Sequence, residues 1–142
     1  MPSDASKQII RTIYEDCINP GKLDQLAALV SPDYVAPQTG DHGQDAFIAN
    51  IRELRAGFPD IRFTIDDLFA EGDHVMIRWT WHATHTGTFR HIPPSGRAVT
   101  NTGMAIYQLA AGKILRSWVE TDRLGALQQI GALPPPPPRP AK

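Results

Sequence analysis

The octapeptide His74-Val75-Met76-Ile77-Arg78-Trp79-Thr80-Trp81 decides the fold. Val75, Ile77, Trp79 and Trp81 fall on one face of an extended chain, and His74, Met76, Arg78 and Thr80 on the other, as in a strand with one covered face. Upstream the same period of two carries Ile61, Phe63 and Ile65 in alternation with Arg62, Thr64 and Asp66. Downstream, a loop containing Pro93-Pro94-Ser95-Gly96 leads to a strand near Val99–Leu109. Ala111-Gly112-Lys113 then makes a tight turn into a last strand, Ile114–Thr121, and a short helix, Leu124–Ile130, ends at Gly131. Before Pro59 the period is helical. Ile9, Ile10, Ile13, Tyr14, Cys17 and Ile18 recur at helix spacing, with Ser3 or Ser6 to start the run and Asn19-Pro20-Gly21 to stop it. A shorter segment places Leu23, Leu26, Ala27 and Val30 on one side and closes at Ser31-Pro32. After a loop, Phe47, Ile51, Leu54 and Phe58 define a third helix ended by Gly57 and Pro59. Helices followed by hairpin-connected strands indicate an α+β fold, with amphipathic helices on one face of a curved antiparallel sheet enclosing an apolar pocket.

The chain has 142 residues, enough for one domain with a single core. Six of its 13 prolines are Pro134–Pro138 and Pro140, so the expected folding unit is residues 3–133 and residues 134–142 a proline-rich tail. That tail should be extended polyproline II, either solvated or a ligand for an SH3-type domain. With 42% apolar and 20% charged residues the composition is globular. The formal charge is −1 with both signs scattered, which argues against a nucleic-acid surface. No apolar run has the length of a membrane span. Met1-Pro2-Ser3-Asp4-Ala5 lacks the pattern of a secretory leader, and Cys17 is the sole cysteine, so a cytoplasmic protein is expected.

Counting by twos along the last strand puts Ile114, Arg116, Trp118, Glu120 and Asp122 on one face. With Trp118 pointing inward, Asp122 would lie beside it, where desolvation makes a carboxylate a usable base. Asp122 also directly precedes the last helix and can cap it; the two roles can coexist. His82, His85 and His91 are spaced H-x2-H-x5-H, which on a strand sends the first two to opposite faces, so no metal is expected. His85 either orders the Thr84-His85-Thr86-Gly87 turn or lines the cavity mouth. Trp79 and Trp81 serve as core, as a flat wall for a ring-shaped ligand, or as both. Tyr14 carries the same ambiguity, and Asn50 is either a surface amide or a pocket group. Ser95 sits in a turn rather than at a nucleophile elbow, and Cys17 reads as core. The outer face of the central strand (His74, Met76, Arg78, Thr80) meets either water or a second subunit, and a half-apolar uncovered sheet face favours a dimer.

Several segments together resemble the SnoaL-like polyketide cyclase (ester cyclase) branch of the NTF2-like superfamily. The most specific are Ile92-Pro93-Pro94-Ser95-Gly96-Arg97, Gly112-Lys113-Ile114, and Trp118 with Asp122, Gly125 and Leu127-Gln128-Gln129-Ile130-Gly131. Phe58-Pro59-Asp60, Glu71-Gly72-Asp73, Arg78-Trp79-Thr80 and Thr84-His85 with Gly87 support them. The resemblance spans nearly all of Ile9 to Gly131. It implies a cone-shaped α+β domain with a deep pocket, a homodimer through the sheet face, and cofactor-independent aldol-type ring closure of a small hydrophobic carbonyl compound. Asp122 would then be the general acid/base, with Tyr14 and Asn50 in the pocket. Trp79, Trp81, His85, Met104 and Trp118 are the further candidate pocket residues. The chain departs from the family pattern in having Ala36-Pro37 after Tyr34-Val35, Ala105 after Gly103, and Ser117 before Trp118, where members often carry histidine or acidic residues. The readings kept beside a cyclase are a small-molecule binder without turnover and an epoxide hydrolase.

Overall fold

The computed structural model describes residues 3–140. The expectations for Met1 and Pro2, and for Ala141 and Lys142 of the tail, lie outside the described residues.

Strands β3 (Arg62–Glu71), β4 (His74–Thr84), β5 (Ala98–Ala110) and β6 (Lys113–Thr121) form an antiparallel meander. The octapeptide that decides the fold sits inside β4, with Val75, Ile77, Trp79 and Trp81 all buried. Helix α1 (Ser3–Arg11) opens the chain, followed by α2 (Leu23–Ala27), α3 (Gln44–Gly57) and, after the sheet, α4 (Arg123–Gln129). Ile10, Ile13, Ile18, Leu26 and Phe58 project from the helical side onto the sheet and are fully buried. Burying each such side chain contributes about 1.5–3 kcal/mol, which is why amphipathic segments of this length hold their places.

The sequence expectation fails at the start of the sheet. Val30–Ala36 is not the end of a helix and a loop but a strand, β1, and Asp41–His42 forms a short β2 beside it. The sheet therefore has six strands in the order β2-β1-β6-β5-β4-β3, and β1 runs parallel to β6, so the sheet is not purely antiparallel. Pro32 is tolerated there because the β1 ladder breaks between Val30 and Val35, leaving the stretch around the proline out of register.

Two bulges bend the sheet. In β3, Asp66 is an extra residue between the pairs Ile65↔Trp79 and Asp67↔Arg78. In β6, Leu115 is extra between Leu109↔Ile114 and Gln108↔Arg116. An unpaired residue of this kind kinks its strand and reverses the facing of every residue beyond it. Beyond Leu115, Ser117 is consequently buried, Arg116 and Glu120 are exposed, and Trp118 lies on the outer face stacked 6.2 Å from His74.

Past Arg11 the first helix continues as a π-helical turn, Thr12–Ile18, with Asn19 N–H donating to Tyr14 O at 2.9 Å and Lys22 N–H to Cys17 O at 2.8 Å. Side-chain amides tie the helical layer to the sheet. Asn19 pairs with both backbone groups of Phe63 (2.7 and 3.0 Å), and Gln129 does the same with Thr100 (2.8 and 2.9 Å). Pro134–Pro140 are exposed and irregular. The loop between β4 and β5 lies on the end of α3, with Gly87 N–H donating to Gly57 O at 3.1 Å.

A Cβ at Gly87 would fall on the carbonyl oxygen of Ala56, a backbone atom that cannot swing aside. Gly87→Ala is expected to cost about 1–3 kcal/mol, the usual range for overpacking, read as a lower urea midpoint with an unchanged slope.

Candidate active site

Between the helices and the concave face of the sheet lies a cavity of about 460 Å³. Its walls are mostly aromatic: Tyr14, Phe63 and Trp79 cluster with ring centroids 5.3–5.8 Å apart, and Phe58 packs on Trp81 at 5.1 Å. Tyr14 reaches this wall from the π-helical turn. Gly103 of β5 makes room for Trp79, since a Cβ there would meet the indole edge at 2.8 Å.

The polar groups inside come as pairs. The hydroxyls of Tyr14 and Tyr107 are 2.5 Å apart, and those of Tyr34 and Ser117 are 2.6 Å apart; all four residues line the cavity and are buried. Tyr107 and Ser117 face each other across the β5–β6 ladder, so the two pairs are neighbours on one wall. Asn101 and Trp79 also line it, with Asn101 Oδ1 and Trp79 Nε1 finding no partner among the described residues. Ionic groups appear at the lining as Asp41, Glu53, Arg90 and Arg123, and Arg90 Nε donates to Glu53 Oε1 at 3.0 Å.

The expected site residues divide. Tyr14, Asn50, Trp79 and Trp81 line the cavity, Asn50 from an exposed position on α3. Trp118 and Met104 are corrections: the Leu115 bulge turns Trp118 outward, and Met104, paired with Glu120 and Arg78, is 43% exposed on the same outer face. His85 is a third, since it does not line the cavity. It is fully buried beside Phe58, its Nδ1 accepts from Ser95 N–H at 3.1 Å, and the Ser95 hydroxyl lies 2.9 Å from the same nitrogen. That geometry is the turn-ordering alternative. Asp122 is exposed, and its carboxylate accepts from Gly125 N–H at 2.9 Å as the N-cap of α4; its neighbours Thr121 and Arg123 line the cavity, but Asp122 does not.

Sequence reasoning missed Tyr34, Asn101, Tyr107 and Ser117. Counting by twos from Val99 reaches Asn101 and Tyr107, so that signal was present. Tyr34 was hidden with β1, and Ser117 by the bulge.

Both the shape and the sequence have relatives. The SnoaL-like polyketide cyclase family matches residues 8–130. The chain belongs to that family. It is 28% identical over 120 residues to nogalonic acid methyl ester cyclase of Streptomyces nogalater, covering 80% of this chain and 88% of that one. Against aklanonic acid methyl ester cyclase AcmA of Streptomyces galilaeus the identity is 25% over 123 residues, covering 82% and 84%. The structure of TsrD from Streptomyces laurentii superposes with a TM-score of 0.84 at 28% identity, over 94% of this chain and 99% of that one. The SnoaL-like fold thus accounts for the curved sheet, the helical cover and the cavity between them.

Burial pushes the hydroxyl pKa of all three cavity tyrosines above 10.0. In Tyr14 the neighbouring Tyr107 adds to the rise, whereas in Tyr107 and Tyr34 the hydrogen bond to the paired hydroxyl opposes it. These are the only tyrosines in the chain. The unfolded chain loses these protons near pH 10 and the folded protein does not, so stability is intact below pH 10 and falls as pH rises above it. Phenolate absorbance should therefore stay absent where free tyrosine is half ionised and appear together with the loss of circular dichroism.

Proposed function

We propose that this member of the family is a cofactor-independent acid/base enzyme that closes a ring in a hydrophobic carbonyl compound held in the cavity. The observation that carries the reading is the cavity itself, walled largely by aromatic and aliphatic side chains, whose buried polar groups are neutral hydroxyls, the Asn101 amide and the Trp79 indole N–H. Such a lining suits a substrate that is apolar over most of its surface and carries a few oxygens. Both relatives are named as methyl ester cyclases, which makes a keto ester the substrate class to try first.

In the proposed cycle the Asp122 carboxylate removes a proton from the carbon beside a carbonyl, and the C–H electron pair moves onto that oxygen as an enolate. The enolate carbon attacks a second carbonyl of the same molecule. One C–C bond forms, and the former C=O pair becomes an alkoxide that takes the proton back from Asp122. The reaction is an isomerisation and leaves the enzyme unchanged. Asp122 can keep the Gly125 N–H on one carboxylate oxygen and use the other as the base, and its chain neighbours Thr121 and Arg123 line the cavity. A positioned base supplies about 10²–10⁴-fold, and fixing the two carbonyls face to face in the cavity supplies further acceleration. The single buried thiol, Cys17, suits a reducing compartment such as the cytoplasm.

A binding protein without turnover is the second reading, favoured by the engagement of the Asp122 carboxylate as a helix cap. Asparagine caps a helix about as well as aspartate but is no base. Asp122→Asn is expected to keep its melting temperature and to lose about 10²–10⁴-fold in cyclisation of nogalonic acid methyl ester. Unchanged turnover would remove Asp122 from the mechanism, and loss on Asp41→Asn instead would move the base to β2.

We also propose that the outer sheet face pairs with a second copy of the chain. Phe69, Met76, Ile106 and Trp118 form one cross-strand row over β3, β4, β5 and β6, with Phe69 63% and Ile106 41% exposed. Arg78 with Asp66 and Asp67 flanks the row on one side and Gln108 with Arg116 on the other, a mixed-charge border that a two-fold partner can complement. Sedimentation should give a dimer for the native chain and a monomer for Ile106→Glu; a native monomer overturns the assignment.

A further inference from the structure

We propose that the two hydroxyl pairs, Tyr14–Tyr107 and Tyr34–Ser117, together form an oxyanion site that receives both oxygens of a 1,3-dicarbonyl substrate and of its enolate. This rests on the reading of the cavity as a site of carbonyl chemistry and deepens it to a substrate class and an orientation.

The argument begins with a proton count. A hydroxyl has one hydrogen and two lone pairs. In each pair one oxygen donates to the other, and the accepting hydroxyl keeps a hydrogen for which the described residues provide no acceptor. Each pair thus offers one O–H to the cavity. Tyr107 and Ser117 are opposite each other on adjacent strands, Tyr34 is near enough to Tyr107 to raise its hydroxyl pKa, and all four residues line the cavity, so both spare donors open into it from neighbouring positions.

Two neutral donors side by side, with no cation on that wall, select the ligand. A phosphate or sulfate would bury two charges against neutral hydroxyls, whereas the arginines of the lining, Arg90 and Arg123, are exposed residues, a cost that those hydroxyls do not offset. A single ketone would use one donor and strand the other. A 1,3-dicarbonyl has two oxygens on one side of a planar unit, and removing the proton between them spreads one negative charge over both. Each oxygen then takes one O–H, a hydrogen bond that strengthens as the charge develops. The hydroxyl protons stay on the protein throughout, which the upward shift of the buried tyrosines favours. The substrate carbon that loses its proton lies between the two oxygens, so the wall also fixes where that carbon sits in the cavity.

The probe is 2-acetyl-1-tetralone, a bicyclic 1,3-diketone whose enolate absorbs to the red of its enol. Its ionisation midpoint is read by absorbance against pH, free and bound, with binding followed independently by quenching of tryptophan fluorescence. The bound midpoint should lie at least one pH unit below the free one, a tenfold gain in acidity. Tyr14→Phe/Tyr107→Phe and Tyr34→Phe/Ser117→Ala each remove both oxygens of one pair; losing both partners of a buried hydrogen bond is close to neutral for stability, so both proteins should fold. Each should give back a substantial part of the shift while still binding the probe. A midpoint unmoved by the native protein, or a shift that survives both double substitutions, overturns the proposal. Should a variant not fold, the carbonyl ¹³C resonances of probe bound to the native protein decide: both move downfield if each oxygen takes an O–H, and one or none moving overturns it. The titration needs no turnover, since it reads only the ionisation of the bound probe. Failure of the ring-closing reading and failure of the oxyanion site are therefore separate results.

Discussion

One extra residue in the last strand governs the cavity. Without Leu115 in excess, β6 would keep the alternation begun at Ile114, and Trp118 would point into the space between helices and sheet. The bulge exchanges that indole for Ser117, Val119 and Thr121, which line the cavity instead. Interiors pack to the density of organic crystals, and an indole directed inward would have filled much of the room now open to a ligand. The same slip brings a hydroxyl to Tyr34 and moves a large apolar ring to the outer face, so both the interior polarity and the exposed row of the sheet descend from it.

Keeping a hole open inside a small domain requires the layers to be held by something other than contact across the hole. Side-chain amides supply part of that support. Asn19 and Gln129 each imitate a neighbouring strand by bonding both an N–H and a C=O of the sheet. Gln38 spans β6 in a related way, accepting from Val119 N–H at 2.9 Å and donating to Glu120 at 2.8 Å. Aromatic walls complete the support, because rings have few rotamers to lose and keep their shape when one side faces empty space.

The sequence carried the meander, α3 and α4 through plain periodicity, and the family through the segments around Pro93, Gly112 and Trp118. It hid features that arise from register. β1 is obscured because Pro32 and Asp33 are poor strand formers and Val30 completes a helical stripe with Leu23, Leu26 and Ala27; Tyr34 went unnoticed with it. The bulge at Leu115 leaves no local mark, which is why counting by twos placed Trp118 inside. Of the two roles open to Asp122, the structure shows the cap; proton transfer belongs to the proposed function. Tyr107 needed no structure at all, only the same count applied to β5.

Both hydroxyl pairs also tie together distant parts of the chain, Tyr14 to Tyr107 across 93 residues and Tyr34 to Ser117 across 83. Contacts of such long range close late, because chain entropy is lost before they contribute. A ribosome delivers the helical third first, with Ile10, Ile13, Tyr14 and Leu26 on faces that have nothing to cover them. β1 then waits for β6, the last strand made, before it has a partner on its inner edge. The Tyr34–Ser117 pair cannot form until β6 has been synthesised, and a chain that ends short of β6 leaves β1 without that partner and the cavity without one of its walls.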